Sequence, residues 1–91
     1  MQLHLWGTDF RRSDSDFRAK LYLSEETREA RIRELLKLGF DDLIYLQTCN
    51  RVEFVTTCPD FYEDSRRKWE ALIEHFGLDK HDYYKWKMDW I

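Results

Sequence analysis

Leu46-Gln47-Thr48-Cys49-Asn50-Arg51-Val52-Glu53-Phe54 is the stretch that decides how this chain folds. An apolar run, Leu43 to Leu46, leads into it, and a run rich in β-branched residues, Val52 to Thr57, leads out. Both have strand length and strand composition. The polar link between them, Cys49-Asn50-Arg51, is so short that the two strands must be antiparallel neighbours. A cysteine sits at the corner, with a hydroxyl before it and an amide and a guanidinium after it.

On the N-terminal side, Ser24 precedes Glu25 and Glu26, a cap-like serine followed by first-turn acids. Ile32, Leu35, Leu36 and Leu38 then recur at helical spacing, and Lys37 and Gly39 suit a helix end. This predicts a helix over residues 25–38. Further upstream, Leu3, Leu5 and Gly7 alternate with His4 and Trp6, which predicts a strand over residues 2–7. Between them lies a polar, basic connection, Asp9 to Lys20, with one helical turn near Ser15 to Leu21. It reads either as a solvated loop or as a set of anion-binding arginines beside the site.

On the C-terminal side, Cys58-Pro59-Asp60 ends the strand, because proline cannot continue the ladder, and Asp60 is placed to cap a helix. Phe61, Tyr62, Ser65, Trp69, Leu72, Ile73 and Phe76 share one face of that helix, and Gly77 closes it. Tyr83 to Met88 alternates aromatic residues and lysines and reads as a half-buried last strand. The order is therefore β-α-β-β-α-β. That is the order of an α+β ferredoxin-like sandwich, an antiparallel sheet with two helices on one face. This topology carries many functions. An RNA-recognition module shares it, but the aromatic signature of such modules is absent from both central strands.

Ninety-one residues make a single domain, residues 1–91, and the 43% hydrophobic and 16% aromatic content is enough for one core. A net charge of −3 gives no overall cationic field for nucleic acid, so any RNA contact must be a local patch. The two cysteines lack a CxxC spacing, which points to reduced thiols in a cytosolic protein and to no metal site. No signal peptide or membrane span is expected.

The chemistry available at the corner depends on Cys49. Only a thiolate is a strong nucleophile, and a thiol ordinarily ionises at about pH 8.5. A flanking Arg51 and turn N–H groups favour the thiolate, while Thr48 and Asn50 can bond a carbonyl or carboxylate. The alternative is a buried cysteine acting as a small hydrophobe, with Arg51 in a surface ion pair with Glu53 or another acid. Cys58 reads as structural, and His4, His75 and His81 as structural or exposed.

Thr48-Cys49-Asn50-Arg51-Val52-Glu53 resembles the TCNR[TV]E motif of glutamyl-tRNA reductases. Gly7-Thr8-Asp9-Phe10-Arg11-Arg12 resembles that family's G-x-N-H-[KR]-[TS], and Arg18 to Glu25 resembles its "RE…FS-E" segment. Phe10 stands where the family has histidine and Asp9 where it has asparagine, which weakens a site role for that loop.

The resemblance implies an NADPH-dependent oxidoreductase that converts glutamyl-tRNA to glutamate 1-semialdehyde, on a route to 5-aminolevulinate and the tetrapyrroles (porphyrins). By position, Cys49 would be the nucleophile that forms a glutamyl thioester, Arg51 would hold the substrate carboxylate and Thr48 the glutamyl group. Asn50 and Glu53 would support them. The resemblance further implies a cytoplasmic homodimer with an aminotransferase partner. It makes residues 1–91 a truncated N-terminal catalytic domain, without the family's NADPH-binding and dimerisation domains. Such a piece would form at most the thioester, and its apolar end, Trp86, Met88, Trp90 and Ile91, would drive self-association. A second reading is a non-enzymatic ferredoxin-like module that binds a ligand or protein through its aromatic last strand.

Overall fold

A computed structural model describes residues 2–58 and 62–90. It is an α+β protein with one four-stranded, wholly antiparallel sheet. The strands are β1 (Gln2–Asp9), β2 (Ile44–Thr48), β3 (Arg51–Cys58) and β4 (Lys87–Trp90), in the order β2-β3-β1-β4. The helices are α1 (Ser15–Ala19), α2 (Arg28–Leu36) and α3 (Tyr62–His75), and 3-10 turns at Lys80–Lys85 precede β4. No described helix is long and apolar enough to cross a membrane.

Register fixes the two faces of the sheet. Trp6 pairs with Phe54, Thr8 with Val52, His4 with Thr56, and Tyr45 with Phe54. Because side chains alternate along a strand, all of these share one face. That face meets Phe17 of α1, Leu35 of α2, and Trp69, Leu72 and Ile73 of α3 in one core. The core is largely aromatic. Trp6 is fully buried and lies 5.8–6.3 Å, ring centre to ring centre, from Phe54, Trp69 and Trp86. On β1 it is thus the His4–Trp6–Thr8 side that is buried, while Leu3 on the opposite face is 42% exposed. Indole brings more apolar area than leucine, so Trp6 decides which way the strand faces.

Elements depart from expectation where side-chain hydrogen bonds compete with periodicity. Helix α2 starts at Arg28 and not at Glu25. The Ser24 hydroxyl bonds the Thr27 hydroxyl at 2.7 Å, so it is not free to cap the backbone, and residues 24–27 form a separate turn. The helical turn expected near Ser15 is real and is capped by Asp14, whose carboxylate accepts the Phe17 N–H at 2.8 Å. Gly39 and Gly77 follow α2 and α3 with φ of 114° and 69°, as the sequence suggested for helix ends.

The expected last strand is corrected most. Tyr83, Tyr84 and Lys85 lie in the 3-10 turns, which Asp79 caps through the His81 N–H at 2.9 Å. Only Lys87–Trp90 is strand. Trp86 is buried, not part of an exposed apolar end, whereas Met88 is 38% exposed. The expected Pro59 stop, the Asp60 cap, Phe61 and Ile91 lie outside the described residues, as do the side chains of Tyr62, Ser65 and Trp90.

Candidate functional site

The strands β2 and β3 are joined by two residues, Cys49 and Asn50, with Thr48 opposite Arg51. Two-residue hairpin links usually place residues at positive φ. Here no non-glycine residue among those described does so. Two other bonds hold the turn instead. The Thr48 hydroxyl accepts the Asn50 N–H at 3.3 Å, and the Asn50 carbonyl accepts the Phe10 N–H at 2.9 Å. The second bond joins the two motif segments, which lie about forty residues apart in sequence, into one corner of the molecule.

A cleft of about 290 Å³ opens at that corner, bordered by Asp9, Phe10, Arg11, Thr48, Asn50 and Arg51. It lies at the end of the sheet face that the core does not use, because Asp9 pairs with Arg51 and Arg51 with Thr48. Cys49 is exposed on the adjoining turn and does not border the cleft. The alternative of a buried cysteine is therefore wrong for Cys49. Its carbonyl is 3.5 Å from the Tyr22 hydroxyl, which links the turn to the segment after α1.

Arg51 does form the ion pair with Glu53 that the sequence allowed, Nε to Oε1 at 2.9 Å. The Arg51 side chain is 53% exposed but that of Glu53 only 6%. A carboxylate this buried needs partners. Its second oxygen lies 3.5 Å from Lys87 Nζ on β4. Room for it comes from Gly7, its cross-strand neighbour on β1. A Cβ on residue 7 would stand 2.8 Å from Glu53 Cγ and 2.5 Å from the Val52 carbonyl oxygen.

The loop after β1 is built by Asp9. Its carboxylate accepts the backbone N–H groups of Arg11 and Arg12 at 3.0 and 3.2 Å and pairs with the Arg12 guanidinium at 3.1 Å. This sets Phe10 and Arg11 at the cleft border, although Asp9 and Phe10 are the two positions where the loop departs from the resembled motif. The usable signal was the aspartate itself, which favours such turns. Thr8, fully buried, anchors the same loop through Ser13 Oγ at 2.7 Å and the Lys85 carbonyl at 2.5 Å.

The histidines take no part. His4 is in the core, His81 pairs with Asp79 at 3.0 Å, and His75 packs edge-on to Phe76. Among the described residues, no three His, Cys, Asp or Glu side chains are grouped to hold a metal. The side chain of Cys58 lies outside the described residues.

The family described as "Glutamyl-tRNAGlu reductase, N-terminal domain" matches residues 6–88. A glutamyl-tRNA reductase of Syntrophobacter fumaroxidans is 33% identical over 76 residues. That match takes in 82% of this chain but only 16% of the relative, so the chain spans a small part of that protein's length. With the matched residues running from β1 to β4, the chain belongs to the family of glutamyl-tRNA reductase N-terminal domains.

Proposed function

We propose that this chain is the thioester-forming domain of a glutamyl-tRNA reductase in tetrapyrrole synthesis, with the strand and helix arrangement of a ferredoxin-like sandwich. The observation that carries this reading is the exposed Cys49 on a turn whose flanking residues, Thr48, Asn50 and Arg51, border a cleft open to substrate. The Cys49 thiolate attacks the ester carbonyl of glutamyl-tRNA. A carbon–sulfur bond forms, the ester carbon–oxygen bond breaks, and tRNA leaves as its ribose hydroxyl after taking a proton. Splitting the transfer in this way lowers the barrier of each part.

Arg51 holds the free side-chain carboxylate of the glutamyl group, for which a guanidinium fork is suited. Thr48 orients the acyl group, and Asn50 shapes the turn. NADPH belongs to a separate domain on this reading. The residues here do not fit a dinucleotide, since the three glycines, Gly7, Gly39 and Gly77, make no phosphate-binding loop at a helix start. No reduction step is assigned to them. A cytoplasmic homodimer with an aminotransferase partner belongs to the same reading of the whole enzyme.

The test uses a thiol-specific probe at neutral pH and intact-mass measurement after incubation with glutamyl-tRNA. Cys49 labels faster than Cys58, Arg51→Ala slows that labelling, and a glutamyl adduct appears that Cys49→Ser abolishes. Equal, slow labelling of both cysteines with no adduct would refute the assignment.

A further inference from the structure

The acid that grips Arg51 is itself held from two strands away, by residues outside the hydrophobic core cluster. Glu53 points to the sheet face opposite Trp6 and Phe54, yet its side chain is only 6% exposed. It is wedged over Gly7, where a Cβ would come within 2.8 Å, and Lys87 reaches it from β4, whose residue 87 pairs with Gly7. The charges run from Lys87 on β4, over Gly7 of β1, to Glu53 and Arg51 on β3 at the edge of the cleft.

We propose that Glu53 and Lys87 are positioning residues that set the binding mode of Arg51. Glu53 takes the Nε side of the guanidinium. A carboxylate ligand is then received end-on, by the two terminal nitrogens, because the side-on pair that uses Nε is already engaged. Lys87, 3.5 Å from the second carboxylate oxygen, holds Glu53 in place and stops it from rotating toward solvent. A free Arg51 would sample many rotamers and lose side-chain entropy on each binding event, whereas a tethered one has lost it beforehand. The ligand class, a small carboxylate with an ester at its other end, rests on the function proposed above; the tether does not.

The experiment follows the Arg51 Nε–H signal by NMR at pH 6, alone and during titration with glutamate α-methyl ester. The variants are Glu53→Gln, Lys87→Met, Lys87→Arg and Arg51→Ala, each checked for an unchanged backbone spectrum. In the parent the Nε–H exchanges slowly with water. Glu53→Gln speeds exchange about tenfold, as for loss of a charge-assisted contact. Lys87→Met, remote from Arg51, speeds it about threefold, and Lys87→Arg restores it. Ester affinity falls in step with exchange. Exchange in both Glu53→Gln and Lys87→Met equal to that of the parent would overturn the proposal. If exchange responds as stated but no variant, Arg51→Ala included, alters ester affinity, the tether stands and the carboxylate assignment to Arg51 falls.

Discussion

Trp69 donates its indole N–H to His4 Nδ1 at 2.7 Å, joining α3 to β1 inside the core. The bond requires Nδ1 without a proton. Burial pushes the His4 pKa below its ordinary value, and the Asp89 carboxylate opposes this only in part. The unfolded chain therefore binds the proton more readily than the folded one. The stabilisation is whole above the unfolded value of about 6.5 and is lost as pH falls toward the folded value. Urea midpoints measured between pH 8 and pH 5 will fall on acidification, and His4→Gln will flatten that fall.

Asp42 makes the opposite end of the sheet dependent on a carboxylate. It accepts the Thr57 N–H and the Thr57 hydroxyl, each at 3.0 Å, and the Thr56 hydroxyl at 3.3 Å. The Thr57 N–H bond, first among these, holds its pKa below the usual aspartate value. Its contribution is present above about pH 4 and disappears as pH falls below that. Asp42→Ala will cost on the order of 1–2 kcal/mol at neutral pH by chemical denaturation. The variant will also lose less stability than the parent between pH 5 and pH 3.

Gly7→Ala tests the packing under Glu53. The new methyl meets the Val52 carbonyl oxygen at 2.5 Å, and backbone in mid-sheet cannot move aside cheaply. The variant will be destabilised by roughly 1–3 kcal/mol, as overpacked sites are. Its Lys87 and Glu53 side-chain signals will shift in NMR spectra, while those of the Asp42 staple stay put.

Trp6→Ala removes the centre of the aromatic core. Its ring lies against three others, and it is wholly buried. A loss of about 3–5 kcal/mol is expected. For a domain of this size that is a large share of total stability, so the thermal transition will fall sharply or vanish.

The strands and helix faces were legible where composition and period agreed. Val52 to Thr57 could be little else than a strand, and Trp69, Leu72 and Ile73 fell on one helix face. The late start of α2 was hidden because a serine before two glutamates looks like a cap whether or not its hydroxyl is taken by Thr27. The residues Tyr84 to Met88 alternate as a strand does, but the Asp79 cap winds their first part into 3-10 turns. At the site, Thr48, Asn50 and Arg51 were readable from a motif. Phe10 and Arg11 stood in the second motif segment, whose loop could also read as solvated, whereas Lys87 was not readable, because only the register of β1 between β3 and β4 brings it near. Pairings between residues so far apart leave no local trace in a sequence.

That register also bears on how the chain folds. The strand synthesised first, β1, occupies the middle of the sheet, and its partners β3 and β4 come much later. Only the β2–β3 hairpin closes locally. Contacts of long sequence separation form slowly, because loop closure must precede them. The Cys49 turn is thus a local structure, expected to form early in folding. The cleft beside it gains its Asp9–Arg11 wall when β1 docks against β3, and Glu53 gains Lys87 when β4 adds at the far edge. During synthesis, the thiol emerges from the ribosome before the lysine that completes the tether.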